Sequence, residues 1–333
     1  MTVFFFLSGY LITSLLRSEL SATGTISLRN FYRRRAFRIL PPLYLVIALF
    51  WLLDFIPRSQ QHTTIFGLSS LLFYFFNYGF PPHLATSQVP TGLIVAWSLM
   101  VEEHFYLLFP LLYLFLARTL KSARAIALTL AALCVGALVW RCVLVFLLHI
   151  PIAIRSPWTY VATDARFDSI LWGCILAIAA NPWCGDIRPH ITRRKGLLAC
   201  AGLLLLIATF CWRDEAYRQT FRYSLQSLAL IPVFYYVVAS PATWQTRWLT
   251  WKPLRWLGWI SYTVYLVHFG IQEKLQIYTS WPPFWIGVAA LALSLLAAQA
   301  VRHFIDIPLR HRAHSRRKVA RPQLKPTEVS HPA

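Results

Sequence analysis

Apolar residues along the chain fall into ten runs, at roughly 2–16, 38–56, 64–80, 97–117, 125–150, 166–180, 196–212, 223–240, 256–277 and 284–303. Shorter polar stretches rich in Arg and Lys separate them. Each run approaches the ~20 residues that an α-helix needs to cross ~30 Å of hydrocarbon. The pattern predicts an all-α, polytopic transmembrane helix bundle spanning residues 1–303, followed by a basic polar tail over 304–333 that is expected to be disordered. Composition agrees: 57% of the 333 residues are hydrophobic, against the ~45–50% usual for soluble domains. Trp158, Trp251, Trp256, Trp259, Trp281 and Trp285 stand near run ends, where an indole suits the headgroup layer or packs into the core.

Loop charges give an orientation. The tail carries Arg310, Arg312, Arg316, Arg317 and Lys318, so the positive-inside tendency expects a cytoplasmic C-terminus. Alternating backwards places 241–256, 181–195 and 118–124 inside, and 81–96, which has no Lys or Arg, outside. A crossing by 64–80 would then put the most basic loop outside, the one with Arg17, Arg29, Arg33, Arg34 and Arg35. The conflict disappears if 64–80 is re-entrant or interfacial, which leaves nine crossing helices. Its ending in Asn77, Gly79, Pro81 and Pro82 suits irregular backbone enclosed by protein. The first run then begins outside, and the cell (inner) membrane is the expected location.

Charge and cysteine content exclude more than they assign. A net charge of +20 would suggest nucleic acid in a soluble protein, but the basic residues cluster at helix ends and do not interleave with aromatics, so no nucleic-acid partner is expected. Cys134, Cys142, Cys174, Cys184, Cys200 and Cys211 form no C-x-x-C pair and read as small hydrophobes. No metal site is expected, and phosphate-loop, zinc-protease and serine-hydrolase motifs are absent.

Polar residues inside apolar runs are the candidates for chemistry. Arg35 and Arg38, at i and i+3 near the mouth of the second run, share a face; with Arg34 they either anchor the helix end or grip phosphates bidentately. Glu102 and Glu103 lie ~8–9 Å beyond the boundary expected at Trp97, where a carboxylate is costly unless it is paired or faces a polar cavity. Glu102 and Tyr106, at i and i+4, share a face, so Glu102 is either a general acid–base group or a structural anchor. Ser261, Tyr265 and His268 recur at i, i+4 and i+7, predicting one inward polar face; His268 is then a proton carrier or a satisfied core residue. Arg166 and Asp168 open the sixth run, where the plain reading is an interfacial ion pair. Arg141, inside the fifth run, is expected to snorkel outward.

Five of these stretches occur in one order: Phe4-Phe5-Phe6-Leu7-Ser8-Gly9-Tyr10-Leu11-Ile12, Arg34-Arg35-Ala36-Phe37-Arg38-Ile39-Leu40-Pro41, Trp97-Ser98-Leu99-Met100-Val101-Glu102-Glu103-His104-Phe105-Tyr106, Arg166-Phe167-Asp168-Ser169-Ile170-Leu171-Trp172-Gly173, and Leu257 through His268. In this order they resemble membrane acyltransferase family 3, which moves acyl groups from a cytoplasmic donor onto sugars and other acceptors. The resemblance implies acyl-CoA as donor substrate with no bound cofactor, a hydroxyl of a glycan or related acceptor, and transfer of an acyl group, acetyl being the expected one. It implies a donor contact at Arg34, Arg35 and Arg38, a catalytic part for Glu102 and His268, and a channel or substrate wall including Trp97, Ser98, Tyr106, Arg166, Asp168, Ser261, Tyr262 and Tyr265. His104 stands where the family usually has Gln and receives no role.

The family pattern also includes a helix before the first motif, bearing an Arg and, eleven residues on, the His expected as general base. The sequence in hand starts after the position of that helix, so a start assigned too late or a true truncation is expected. The competing reading is a non-catalytic membrane carrier, or an inactive relative lacking the catalytic His.

Overall fold

The computed structural model describes residues 1–56, 62–78, 88–150, 158–186, 189–240 and 243–308. Each apolar run contains a helix. They are α1 (Thr2–Thr23), α2 (Leu28–Leu53), α3 (Ile65–Leu72), α4 (Trp97–Leu120), α5 (Ala123–Cys142), α6 (Asp168–Ala179), α7 (Pro189–Cys211), α8 (Phe221–Ala239), α9 (Lys252–Tyr278) and α10 (Pro283–Val301). No strand occurs among the described residues. Local chemistry sets several ends. Gly24 stops α1 in the left-handed region with φ 71°, and its N–H returns to the Leu20 carbonyl. The side chains of Thr64 and Ser122 cap α3 and α5 by accepting from Gly67 N–H and Ala125 N–H. Pro41 and Pro42 within α2 have no N–H to return to the carbonyls of Phe37 and Arg38.

Polarity is inverted relative to a soluble bundle. Leu107, Leu108, Leu111 and Phe115 of α4, Leu204 and Phe210 of α7, and Leu291 and Leu296 of α10 all face outward. Arg141, Arg166, Asp168, Asn181 and Gln226 are buried. An apolar exterior around a polar interior is stable in hydrocarbon and not in water; the chain is a multi-pass, all-α membrane protein. Among the described residues six stretches are long and apolar enough to cross a bilayer: Thr2–Thr23, Leu28–Leu53, Leu93–Leu120, Ala123–Leu147, Thr192–Cys211 and Pro283–Asp306. The nine crossings that loop charges suggest would require α6, α8 and α9 as well. At 12 residues, α6 rises only about 18 Å, and its side chains are almost all buried among its neighbours.

The run 64–80 contains a helix of only eight residues, about 12 Å long. Its flanks meet: Thr64 N–H donates to the Gln88 carbonyl at 3.0 Å. One step further out, Asp54 at the end of α2 accepts from Thr91 N–H at 2.9 Å, from the Thr91 hydroxyl, and from Lys274 Nζ at 2.6 Å. The chain therefore comes back to the level at which it left α2, as a non-crossing segment must. Gly79, Pro81 and Pro82 lie outside the described residues.

Helix α6 is the centre of the bundle, packed between α1 and α5 with α8 alongside; α7 covers α8, and α9 pairs with α10. Glycines allow the closest approach. A Cβ on Gly9 would sit 2.0 Å from the Ile170 carbonyl oxygen, and one on Gly173 2.0 Å from that of Phe6. Backbones of α1 and α6 thus touch along a seam that only glycine permits. The main core runs through Phe5, Ile12, Leu43, Phe50, Met100 and Ile170. At the far end, α10 continues through a π turn at Arg302–Asp306 to residue 308, past the expected boundary at 303. The basic tail residues 309–333 lie outside the described residues.

Candidate active site

Three of the five motifs converge on one polar cluster. Glu102, on the second turn of α4, accepts the Ser8 hydroxyl of α1 at 3.1 Å and the Tyr106 hydroxyl at 3.0 Å, one oxygen for each. Tyr106 OH also lies 3.2 Å from Ser8 Oγ, closing a triangle. The Arg35 guanidinium of α2 stands 5.0 Å from the Tyr106 ring centre and 5.9 Å from that of Phe31. The i,i+4 relation of Glu102 and Tyr106 brings them together as the helix period requires. Glu102 and Arg35 are half-buried, so the cluster joins the interior to an accessible edge. Of its neighbours on α2, Arg34 reaches away to Glu19 at 3.4 Å, and Arg38, one turn beyond Arg35, is exposed.

A second group lines the space toward the N-terminal end of α1. Trp97 packs at a tilt of 48° against Tyr160, ring centres 4.8 Å apart, and meets Phe5 edge-on at 6.2 Å. Ser98 Oγ and Tyr265 OH are 2.8 Å apart, with Tyr265 OH also donating to the Val95 carbonyl. Tyr262 OH donates to the Ile39 carbonyl of α2 at 3.1 Å. Helix α9 therefore bridges α2 and α4 through two tyrosines.

Two expectations need correction, those for Arg141 and for the Arg166–Asp168 pair. Ser261, at helical spacing from Tyr265 and His268, gives its hydroxyl to Gly258 O within its own helix. A helical serine that can reach a carbonyl of the preceding turn needs no interior partner. His268 lies against the Tyr265 ring, its Nδ1 2.7 Å from the Tyr265 carbonyl, and no hydrogen bond links it to Glu102. Arg141 does not snorkel. Its side chain is 0% exposed and binds Asp168 Oδ2 at 2.8 Å, Ser224 Oγ, and the carbonyls of Ala165 and Thr220. Asp168 is thus the partner of Arg141 and makes no ion pair with Arg166. The Arg166 guanidinium lies instead on the Tyr223 ring, 3.7 Å from its centre.

Two features escaped the sequence. His104 Nδ1 meets Thr163 Oγ1 at 2.7 Å, and the same hydroxyl receives Asn77 Nδ2 at 2.8 Å, tying α4 to the non-crossing segment. Buried Asn181 accepts the Tyr10 hydroxyl at 2.6 Å and donates to Ser14, fastening α1 to the turn after α6. No group of three or more His, Cys, Asp or Glu able to hold a metal occurs among the described residues.

Each of the five motifs has structural work in this arrangement, and all five lie inside one stretch that a known family matches. A family model described as an acyltransferase domain matches residues 1–303. The chain belongs to membrane acyltransferase family 3. It is 28% identical, over 92% of its length and 50% of the relative's, to the peptidoglycan O-acetyltransferase OatA of Listeria monocytogenes. It is 30% identical, over 92% of its length and 51% of the relative's, to the O-acetyltransferase OatA of Staphylococcus aureus. The chain thus spans about half the length of these curated relatives. No solved structure matches it.

Proposed function

We propose that this chain is the membrane-embedded part of an O-acyltransferase that moves an acyl group, acetyl in the first instance, from acyl-CoA to a hydroxyl of a glycan. The observation that carries the reading is the Ser8–Glu102–Tyr106 triangle with Arg35 beside it, built from three motifs that are far apart in sequence. A carboxylate oriented by two hydroxyl donors inside a bundle is placed to take the proton of an incoming hydroxyl. Arg35, with Arg38 one turn further along the same face, supplies the positive charge that a phosphate-bearing donor needs. Peptidoglycan, which the Listeria relative's name specifies, is the proposed glycan; the cell membrane and a cytoplasmic C-terminus are the proposed setting.

The test is transfer of labelled acetyl from acetyl-CoA to extracted glycan, with protein levels matched. Glu102→Gln is expected to lower the rate about 10²-fold or more, and Glu103→Gln, which lacks the Ser8 and Tyr106 partners, much less. Equal, near-normal rates in both variants would return Glu102 to a structural role. Glycan movement across the membrane without ester formation would make the chain a carrier.

A further inference from the structure

Helices α9 and α10 form a hairpin whose open end, where α9 begins and α10 finishes, gathers cations around one indole. The Arg302 guanidinium lies 4.5 Å from the Trp259 ring centre, and that of Arg255 lies 5.8 Å from it. Trp256, next to Arg255, donates its Nε1–H to Gln299 Oε1 at 2.9 Å, about one turn before Arg302, and so holds the two arginines at their spacing. They repel each other across no more than about 10 Å, a span that salt screens only in part. No carboxylate answers them. The acidic residues from 241 to 308 are Glu273, at the opposite end of α9, and Asp306; neither forms an ion pair with Arg255 or Arg302. Contact with the Trp259 ring offsets part of the repulsion, but an indole ring offers no oxygen to the five N–H donors of a guanidinium. The group is open from outside the bundle, since Trp259 is 51% exposed and Arg255 is exposed as well. Its neighbours indicate its depth. Trp244, Trp248 and Trp251 follow one another at i, i+4 and i+7, all largely exposed, and exposed indoles flanking the helices of a membrane protein settle at headgroup level. Leu257 of α9 and Leu296 of α10 carry apolar surface on toward the middle of the hairpin.

We propose that Arg255 and Arg302, set about Trp259, hold the phosphate of an anionic phospholipid from the surrounding bilayer. Charge selects the anion: two guanidiniums without a carboxylate match the oxygens of a phosphodiester. Depth selects the lipid, whose phosphate lies at the level of the exposed indoles while its chains run along the apolar faces of α9 and α10. A zwitterionic lipid brings its own cation beside the phosphate, and the arginines repel it, so phosphatidylglycerol is preferred to phosphatidylcholine. Neutralising the pair also relieves the repulsion at the end of the hairpin. The site shares no residue with the Glu102 cluster and stands independently of the acyl-transfer reading. It gives work to Trp259, the part of the fifth motif which that cluster leaves unused.

The experiment supplies the full chain with phosphatidylglycerol and phosphatidylcholine of matched chains in equal amounts, and counts the lipids it retains in mild detergent by native mass spectrometry. Phosphatidylglycerol is expected to be retained at least about tenfold more than phosphatidylcholine, the difference that a charge-assisted contact supplies. Arg255→Gln together with Arg302→Gln should abolish the preference, and Arg302→Lys, which keeps the charge but not the fork, should retain part of it. Arg247→Gln together with Lys252→Gln removes as much charge from exposed positions beside the site and should leave the preference intact. Added adenosine 3′,5′-bisphosphate, a soluble source of the same phosphate chemistry, should not displace the lipid. The comparison of the two lipids uses the unaltered chain, so it stands even if a variant fails to fold. Equal retention of both lipids, or a preference that survives the Arg255 and Arg302 changes, would overturn the proposal. Equal losses in the two double variants would overturn it too, by reducing the site to diffuse surface charge, and displacement by the bisphosphate would assign the arginines to a soluble ligand instead.

Discussion

Ser8, Gly9 and Tyr10 are consecutive, and each does something different: Ser8 bonds Glu102, Gly9 admits Ile170, and Tyr10 bonds Asn181. On a helix, three successive residues face three directions, so a short motif can serve three neighbours at once. What was legible at this scale was local. The Glu102–Tyr106 bond follows from helical spacing alone, whereas the Arg141–Asp168 bond joins residues on different helices and no periodicity announces it. That pair gives a sharp prediction. Arg141→Leu leaves Asp168 buried without its cation and should cost about 3–5 kcal/mol; the double change with Asp168→Leu should cost clearly less, in a double-mutant cycle followed by chemical unfolding in detergent. Among the donor arginines, Arg35→Ala should raise the donor KM about tenfold or more. Arg34→Ala, an exposed arginine whose partner is Glu19, should change it little. Equal effects would show that the three arginines act only as a diffuse charge.

At the scale of elements, the hydrophobic runs located all ten principal helices but not their lengths. The run 166–180 looked like a span, yet only 12 residues are helical as α6, because a helix enclosed by other helices is apolar all round for a reason unrelated to lipid. The run 64–80 was recognisable as non-crossing only through loop charge, since its hydropathy resembles the rest. Glycines distinguish the elements further. Gly9→Ala and Gly173→Ala should each destabilise the bundle by about 1–3 kcal/mol, because the added methyl meets backbone rather than a movable side chain. Gly258→Ala and Gly287→Ala meet nothing within 4 Å and should stay within about 0.5 kcal/mol. Thermal unfolding of the four variants in one detergent separates these outcomes.

For the whole molecule, the apolar exterior and polar interior are the property that composition conveyed best, since no soluble arrangement accommodates so many apolar residues. Direction across the membrane is testable through the non-crossing segment. Single cysteines at His62 and Gln88, in a chain otherwise free of cysteine, should react with an impermeant thiol reagent from the same side of the membrane; labelling from opposite sides would mean that the segment crosses. Register between helices was not legible, because it depends on which glycines oppose which carbonyls. The seam of Gly9 and Gly173 has one more consequence. With no room for even a methyl group on either side, α1 cannot slide along α6 by a residue in either direction. The interval between Ser8 and Arg166 is therefore a fixed gauge cut into the backbone, which holds the Ser8–Glu102 bond at one height relative to the Arg166–Tyr223 contact.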